Sequence, residues 1–111
     1  MWEVRLHPVA TKELARLPPR ERAAVLNAVE KLTVFGPALP FPHCSAIQGA
    51  QRLRELRPRA GRIPWRGFYR RLGDVFVVAA IGPEAKVEKR GFDRAVAAAL
   101  ARLAEVEEDR P

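Results

Sequence analysis

The stretch QRLRELRPRAGRIPWRGFYRRLGDVFVVAAIG, from Gln51 to Gly82, constrains the fold more than any other. It reads as three consecutive strands. RLRELR (52–57) runs into the turn PRAGR (58–62), and IPWRGFYRRL (63–72) into the two-residue, glycine-first hairpin turn Gly73-Asp74. DVFVVAAIG (74–82) is apolar nearly throughout, as a central strand covered on both faces must be. Leu53 and Leu56 do not alternate strictly, which predicts a bulge or two covered faces in the first of the three. Eight arginines lie between positions 52 and 71, against one acid, Glu55. Guanidinium forks so dense on strands need an outlet for their charge, and they match phosphate oxygens in geometry. The first expectation is a sheet that presents a phosphate-binding face.

The flanking sequence supplies the cover for that sheet. WEVRLH (2–7) alternates like a half-buried strand and stops at Pro8. Val9, Ala10, Leu14 and Leu17 share one helical face, and Pro18-Pro19 separates this helix from the next, 20–35, whose apolar stripe is Val25, Val29 and Leu32. Gly36-Pro37 ends it. The pair forms an antiparallel hairpin whose stripe must pack on a sheet. GPALPFPHCSAIQG (36–49) reads as a loop, PEAKVEKRG (83–91) as a polar connection, and 92–106 as a last helix, with a fraying tail, EEDRP. The order β-α-α-β-β-β-α describes a single α+β domain over 1–111. A strand and helix hairpin pack on a small, mainly antiparallel four-stranded sheet, with a C-terminal helix added.

The charge is placed unevenly. Residues 1–35 have a net charge of +2, residues 36–92 of +7, and residues 93–111 of −2. An arginine-rich source proteome accounts for part of the bias, sixteen arginines to four lysines, but not for its position. A local basic field of this kind serves nucleic acid through phosphate contacts and counterion release. The single cysteine, Cys44, allows no disulfide within the chain and fits a reducing cytoplasm. MWEVRLHP has no apolar core of signal-peptide length, and the apolar run Val75–Ile81 is too short to span a membrane, so no membrane partner is expected.

Strand geometry puts Arg52 and Arg54 on one face and Arg57 on the other unless a bulge shifts it. Arg66 and Arg70 share a face, as do Trp65, Tyr69 and Arg71. Such a surface suits an RNA backbone, with Tyr69 available to stack a base and Trp65 reading better as core. Cleaving RNA by attack of its own 2'-hydroxyl needs a base, an acid and cations around the phosphorus, and no metal. The titratable candidates are His43, Tyr69, Lys86 and Lys89, of which the lone loop His43 reads as a surface residue. One cysteine, two dispersed histidines and no clustered acids argue against a zinc site, and no glycine-rich loop suggests a nucleotide cofactor. A non-catalytic RNA- or DNA-binding module, or a partner for an acidic protein, fits the same charge.

HPVATKELARLPPRERAAVLNAVEKL, then RLRELRP, then WRGFYRRLGDVFVVAAIG together resemble the RelE/HigB superfamily of bacterial type II toxin–antitoxin systems, specifically its phage-derived HigB-like branch. In that branch the second strand commonly reads L-x-E-L-R and the third Y-R-x-x-Y, which Trp65-Arg66-Gly67-Phe68-Tyr69 matches with Trp in the first place. The resemblance covers about the whole chain. It implies a RelE-like fold and a metal-independent mRNA endoribonuclease that enters the ribosomal A site and cuts by 2'-hydroxyl attack, leaving a 2',3'-cyclic phosphate. It also implies a cognate antitoxin, with operator DNA bound only through the antitoxin complex. Carried over, Arg57, Arg66 and Tyr69, with Lys86, would form the catalytic set. Arg52, Arg54, Arg59, Arg62, Arg70, Lys89 and Arg90 would hold RNA, and Glu55 would be a structural acid paired with Arg66. The family's F-x-K-K segment after the fourth strand is absent. Ile81-Gly82-Pro83-Glu84 stands there, with Lys86 and Lys89 displaced by a few residues and Glu84 near the expected cations.

Overall fold

The computed structural model describes residues 1–109. In chain order the elements are β1 (Glu3–Leu6), α1 (Pro8–Ala15), α2 (Pro19–Phe35), β2 (Cys44–Ala46), β3 (Arg54–Leu56), β4 (Trp65–Leu72), β5 (Val75–Pro83) and α3 (Lys89–Glu108), with 3-10 turns at Gly36–Ala38 and Pro58–Gly61. Local chemistry sets the helix boundaries. Pro8 and Pro19 occupy first turns, where the missing N–H has no intrahelical partner to lose, and His7 Nδ1 caps α1 by accepting from the Val9 amide at 3.1 Å. α2 ends at Gly36 with φ 53°.

The sheet order is β1-β5-β4-β3-β2, with β1 parallel to β5 and the other pairs antiparallel. There are five strands where the sequence predicts four. The added strand, Cys44–Ala46, lies inside the segment read as a loop and pairs Cys44 with Leu56 and Ala46 with Arg54. Three residues among prolines and glycines carry no period-two signature, so only pairing with β3 defines them as a strand. Of the two expectations for 52–57, a bulge or two covered faces, the second holds, since Leu53 and Leu56 are buried in separate clusters on the two faces, and the bulge lies between β4 and β5. Phe68 pairs with Ala80 and Tyr69 with Val78, leaving Ala79 as the extra residue. β3 is only three residues long, and Arg52, at φ 60°, belongs to the turn before it. α3 begins three residues before the expected Phe92. The expected fraying tail lies in part outside the described residues.

The sheet is the middle of three layers. On one face, Leu14, Leu17, Val25, Ala28 and Leu32 of the hairpin pack on Leu56, Tyr69, Phe76, Val78 and Ile81. On the other, Ala95, Ala99 and Leu103 of α3 pack on Phe68, Leu72, Val77, Ala79 and Ala80. Phe68, fully buried, meets Phe92 edge to face at 5.4 Å. α3 comes so close to β5 that a Cβ at Gly82 would collide with that of Ala95. Arg102 ties the layers together. It donates to Glu13 of α1 at 3.0 and 3.1 Å and to the Ala79 carbonyl at 2.8 Å, while Glu13 also accepts the Ile81 amide that β1 is too short to reach. Among the described residues no helix is long and apolar enough to cross a membrane.

Candidate functional site

Where α3 begins, it leaves the end of the sheet uncovered, and a cleft of about 690 Å³ opens there. Its floor is Glu55 and Arg57 from the end of β3 and Arg66 from β4. Ala46, Ile47 and Gln48 form one wall, and Glu84, Ala85, Lys86, Lys89 and Phe92 the other. The cleft brings together four cationic side chains and two carboxylates. Of the residues singled out from sequence, Arg57, Arg66, Lys86 and Lys89 meet here. Among the described residues, no group of three or more His, Cys, Asp or Glu side chains is arranged to hold a metal ion.

Arg66 anchors the floor and is 2% exposed. Its Nη1 donates to the carbonyls of Ile63 at 2.7 Å and Trp65 at 3.0 Å. Its Nη2 reaches the Gly61 carbonyl at 3.4 Å and forms an ion pair with Glu84. Only Nε lacks a partner, 4.0 Å from Glu55 Oε1. Burial pushes the guanidinium below its ordinary value and Arg57 adds to this, while Glu84 and Glu55 oppose the shift. Glu55, expected to serve Arg66, is bound more closely by Arg57 Nη1 at 2.9 Å and by Ser45 Oγ at 3.1 Å. Arg57 is held by a further bond from Nε to the Pro42 carbonyl at 3.0 Å and by the Phe41 ring, 5.5 Å from its guanidinium carbon. Gly61, at φ 88°, leaves room for that guanidinium, which a Cβ there would strike. Arg57 also borders a second groove, of about 350 Å³, against α2. Lys86 and Lys89 are exposed, with Lys89 Nζ bonded to Asp93 at 2.8 Å.

The other expected site residues lie elsewhere. Tyr69 is 2% exposed on the opposite face of the sheet, packed beside Phe76, so neither face of its ring is open to a base. Burial raises its phenol well above the usual range, and the neighbouring Cys44 adds to the shift. Arg54 shares that face, donating to Cys44 Sγ at 3.4 Å, and this bond is the main reason its guanidinium is raised. Arg70 faces α3 but sits four residues along β4 from Arg66 and outside the cleft lining, buried and bound to the Gln51 carbonyl at 2.9 Å and to Glu107 at 3.3 Å. Arg52, Arg59 and Arg62 are exposed on turns, Arg62 bonding the Arg59 carbonyl at 3.0 Å, and Arg90 is exposed in the first turn of α3. The wall 46–48 and Phe92 carried no signal, because they border the cleft through the unrecognised strand β2 and the early start of α3.

Residues 12–82 match the family described as phage-derived protein Gp49-like. No curated protein sequence matches the chain. Solved structures that share its fold include the following two. One is a doubly substituted Escherichia coli toxin RelE in the free state, with a TM-score of 0.62 and 15% identity over 86% of this chain and 94% of that one. The other is an archaeal RelE–RelB complex from Pyrococcus horikoshii, with a TM-score of 0.56 and 20% identity over 74% of this chain and 93% of that one. The family match takes in Glu55, Arg57 and Arg66, while Glu84, Lys86 and Lys89 lie beyond its end at Gly82.

Proposed function

From the premise that the chain belongs to the phage-derived Gp49-like family and has the RelE-like fold, we propose that it is the toxin of a type II toxin–antitoxin system, a ribosome-dependent, metal-independent mRNA endoribonuclease of the cytoplasm. The observation that carries this reading is the cleft itself, where four cations and two carboxylates surround a space open to solvent. Transesterification by the 2'-hydroxyl needs little else. Cations stabilise the charge that builds on the phosphorane oxygens, worth several kcal/mol where donors are already in place, and proton carriers serve the two oxygens that exchange.

In this reading Arg57, Lys86 and Lys89 contact the phosphate, and Arg66 is a positioning residue that fixes Glu84 and the turn before β4. Arg59 and Arg62, exposed on the turn that contains Gly61, and Arg90, exposed next to Lys89, are outside the cleft lining and meet neighbouring phosphates. The partner that holds the enzyme in check is a cognate antitoxin, with operator DNA bound only through that complex. The test is the chemistry of the product ends. A defined mRNA incubated with the protein in a purified translation system is expected to yield 5'-hydroxyl ends that polynucleotide kinase labels without prior dephosphorylation. Fragments with 5'-phosphate ends would mean attack by water and would refute the 2'-hydroxyl route.

A further inference from the structure

We infer that Glu84 is the proton acceptor of this cleft, the residue that takes the proton from the attacking 2'-hydroxyl. The inference rests on the endoribonuclease reading above and names a residue that reading leaves open. It begins from what the cleft lacks. Among the described residues, no histidine, cysteine or tyrosine lines it. Lysine ammonium and guanidinium groups carry protons already, so they can donate but not accept. The two carboxylates, Glu55 and Glu84, are the side chains able to accept a proton at neutral pH.

The geometry separates them. Glu55 Oε1 already serves Ser45 Oγ at 3.1 Å and Arg57 Nη1 at 2.9 Å, with Arg66 Nε at 4.0 Å, and its side chain is 13% exposed. The Glu84 side chain is bound through Oε2 by Arg66, has no second hydrogen-bond partner among the described residues, and is 23% exposed. Its backbone is pinned at the end of β5, the amide donating to the Pro64 carbonyl at 2.8 Å and the carbonyl accepting from Val87 and Glu88. Each carboxylate keeps one oxygen without a hydrogen-bond partner among the described residues, but Glu84, with a fixed root, a single buried guanidinium to orient it and the more exposed side chain, is the one placed to meet a hydroxyl. Glu55 is built to hold Arg57.

The step balances within the cleft. The 2'-hydroxyl proton passes to Oε1 of Glu84 as the 2'-oxygen bonds to phosphorus. The bond from phosphorus to the 5'-oxygen breaks, its electron pair leaves on that oxygen, and a lysine ammonium, Lys86 or Lys89, supplies the proton that makes it a hydroxyl. Glu84 then returns its proton to the neutral lysine or to water.

The experiment is single-turnover cleavage of a defined mRNA on purified ribosomes by wild type, Glu84→Gln, Glu84→Asp and Glu55→Gln, each across a range of pH. Glutamine keeps an oxygen for Arg66 but cannot take the proton, so Glu84→Gln is expected to cleave about a hundredfold or more slowly and to lose the acid limb of the pH–rate profile. Glu84→Asp keeps that limb at a reduced rate, and Glu55→Gln keeps it too. Unfolding curves for each variant separate a lost base from a lost fold. Cleavage by Glu84→Gln at the wild-type rate, or an acid limb that disappears with Glu55→Gln instead, would overturn the assignment and leave the endoribonuclease reading standing. A wild type that cuts nothing in the presence of ribosomes would overturn both.

Discussion

Replacing Arg66 with methionine should damage the fold as much as the chemistry. Arg66 is 2% exposed, and its two terminal nitrogens serve the carbonyls of Gly61, Ile63 and Trp65 and the Glu84 carboxylate. Methionine fills much of the volume but leaves the turn before β4 without its donor and Glu84 without its counter-ion. Removing one partner of a buried pair costs about 3–5 kcal/mol, and Glu84 can regain some hydration, so the lower end of that range applies, about 3 kcal/mol. For a domain of this size that lowers the melting temperature by about 12 °C. Urea unfolding followed by circular dichroism measures the loss. The double variant Arg66→Met/Glu84→Met, which removes the orphaned carboxylate, should recover about 1–2 kcal/mol of it. A loss below about 1 kcal/mol for the single variant, within the range of an ordinary surface change, would refute the positioning role and leave Arg66 free to act on substrate alone. It follows that lost cleavage in an Arg66 variant must be compared with the fraction of the protein still folded.

The bridge from Arg102 to Glu13 should couple α3 to α1. Arg102→Met and Glu13→Gln should each cost about 2 kcal/mol and the pair less than the sum by about 1 kcal/mol in a double-mutant cycle, whereas strict additivity would mean that the contact is idle. Tyr69→Phe should cleave mRNA at the wild-type rate, since the ring lies on the face away from the cleft; a tenfold loss with the fold intact would return Tyr69 to the site. Tyr69 is the only tyrosine, so tyrosinate absorbance reports it alone. Its phenol holds its proton to higher pH folded than unfolded, so the stability it contributes is complete below the ordinary value of 10.0 and is lost as pH rises through the folded value. Alkaline titration should therefore show ionisation together with unfolding, and ionisation near pH 10 in a folded chain would contradict the burial.

Periodicity made most of the fold readable. The apolar run in β5, the Gly73-Asp74 turn and the proline-bounded helix hairpin each follow from local chemistry, and all stand where expected to within a few residues. What the chain does not declare locally is tertiary pairing. β2 exists because β3 offers it an edge, and the bulge at Ala79 lets Val78 and Ile81 both lie under the hairpin while Ala79 and Ala80 lie under α3. The same limit governs the site. The dense arginines suggest one phosphate-binding face, yet the register sends Arg54 to one face and Arg66 and Arg70 to the other, and burial turns Arg66 and Arg70 into internal struts. The placement of Glu84 against Arg66, eighteen residues apart, depends on β4 and β5 pairing Arg66 with Gly82, which no single-strand pattern reveals.

The account stands or falls on whether the charged cleft cuts mRNA on the ribosome. The direct measurement maps cleavage of a defined mRNA by primer extension in a purified translation system, with and without ribosomes, for wild type and for Lys86→Ala/Lys89→Ala. Both lysines are exposed, so the variant should melt with the wild type. Cuts confined to A-site codons, absent without ribosomes and at least tenfold slower in the variant, are the predicted result. Ribosome binding with no cuts, or cuts that the variant makes at the wild-type rate, would contradict it.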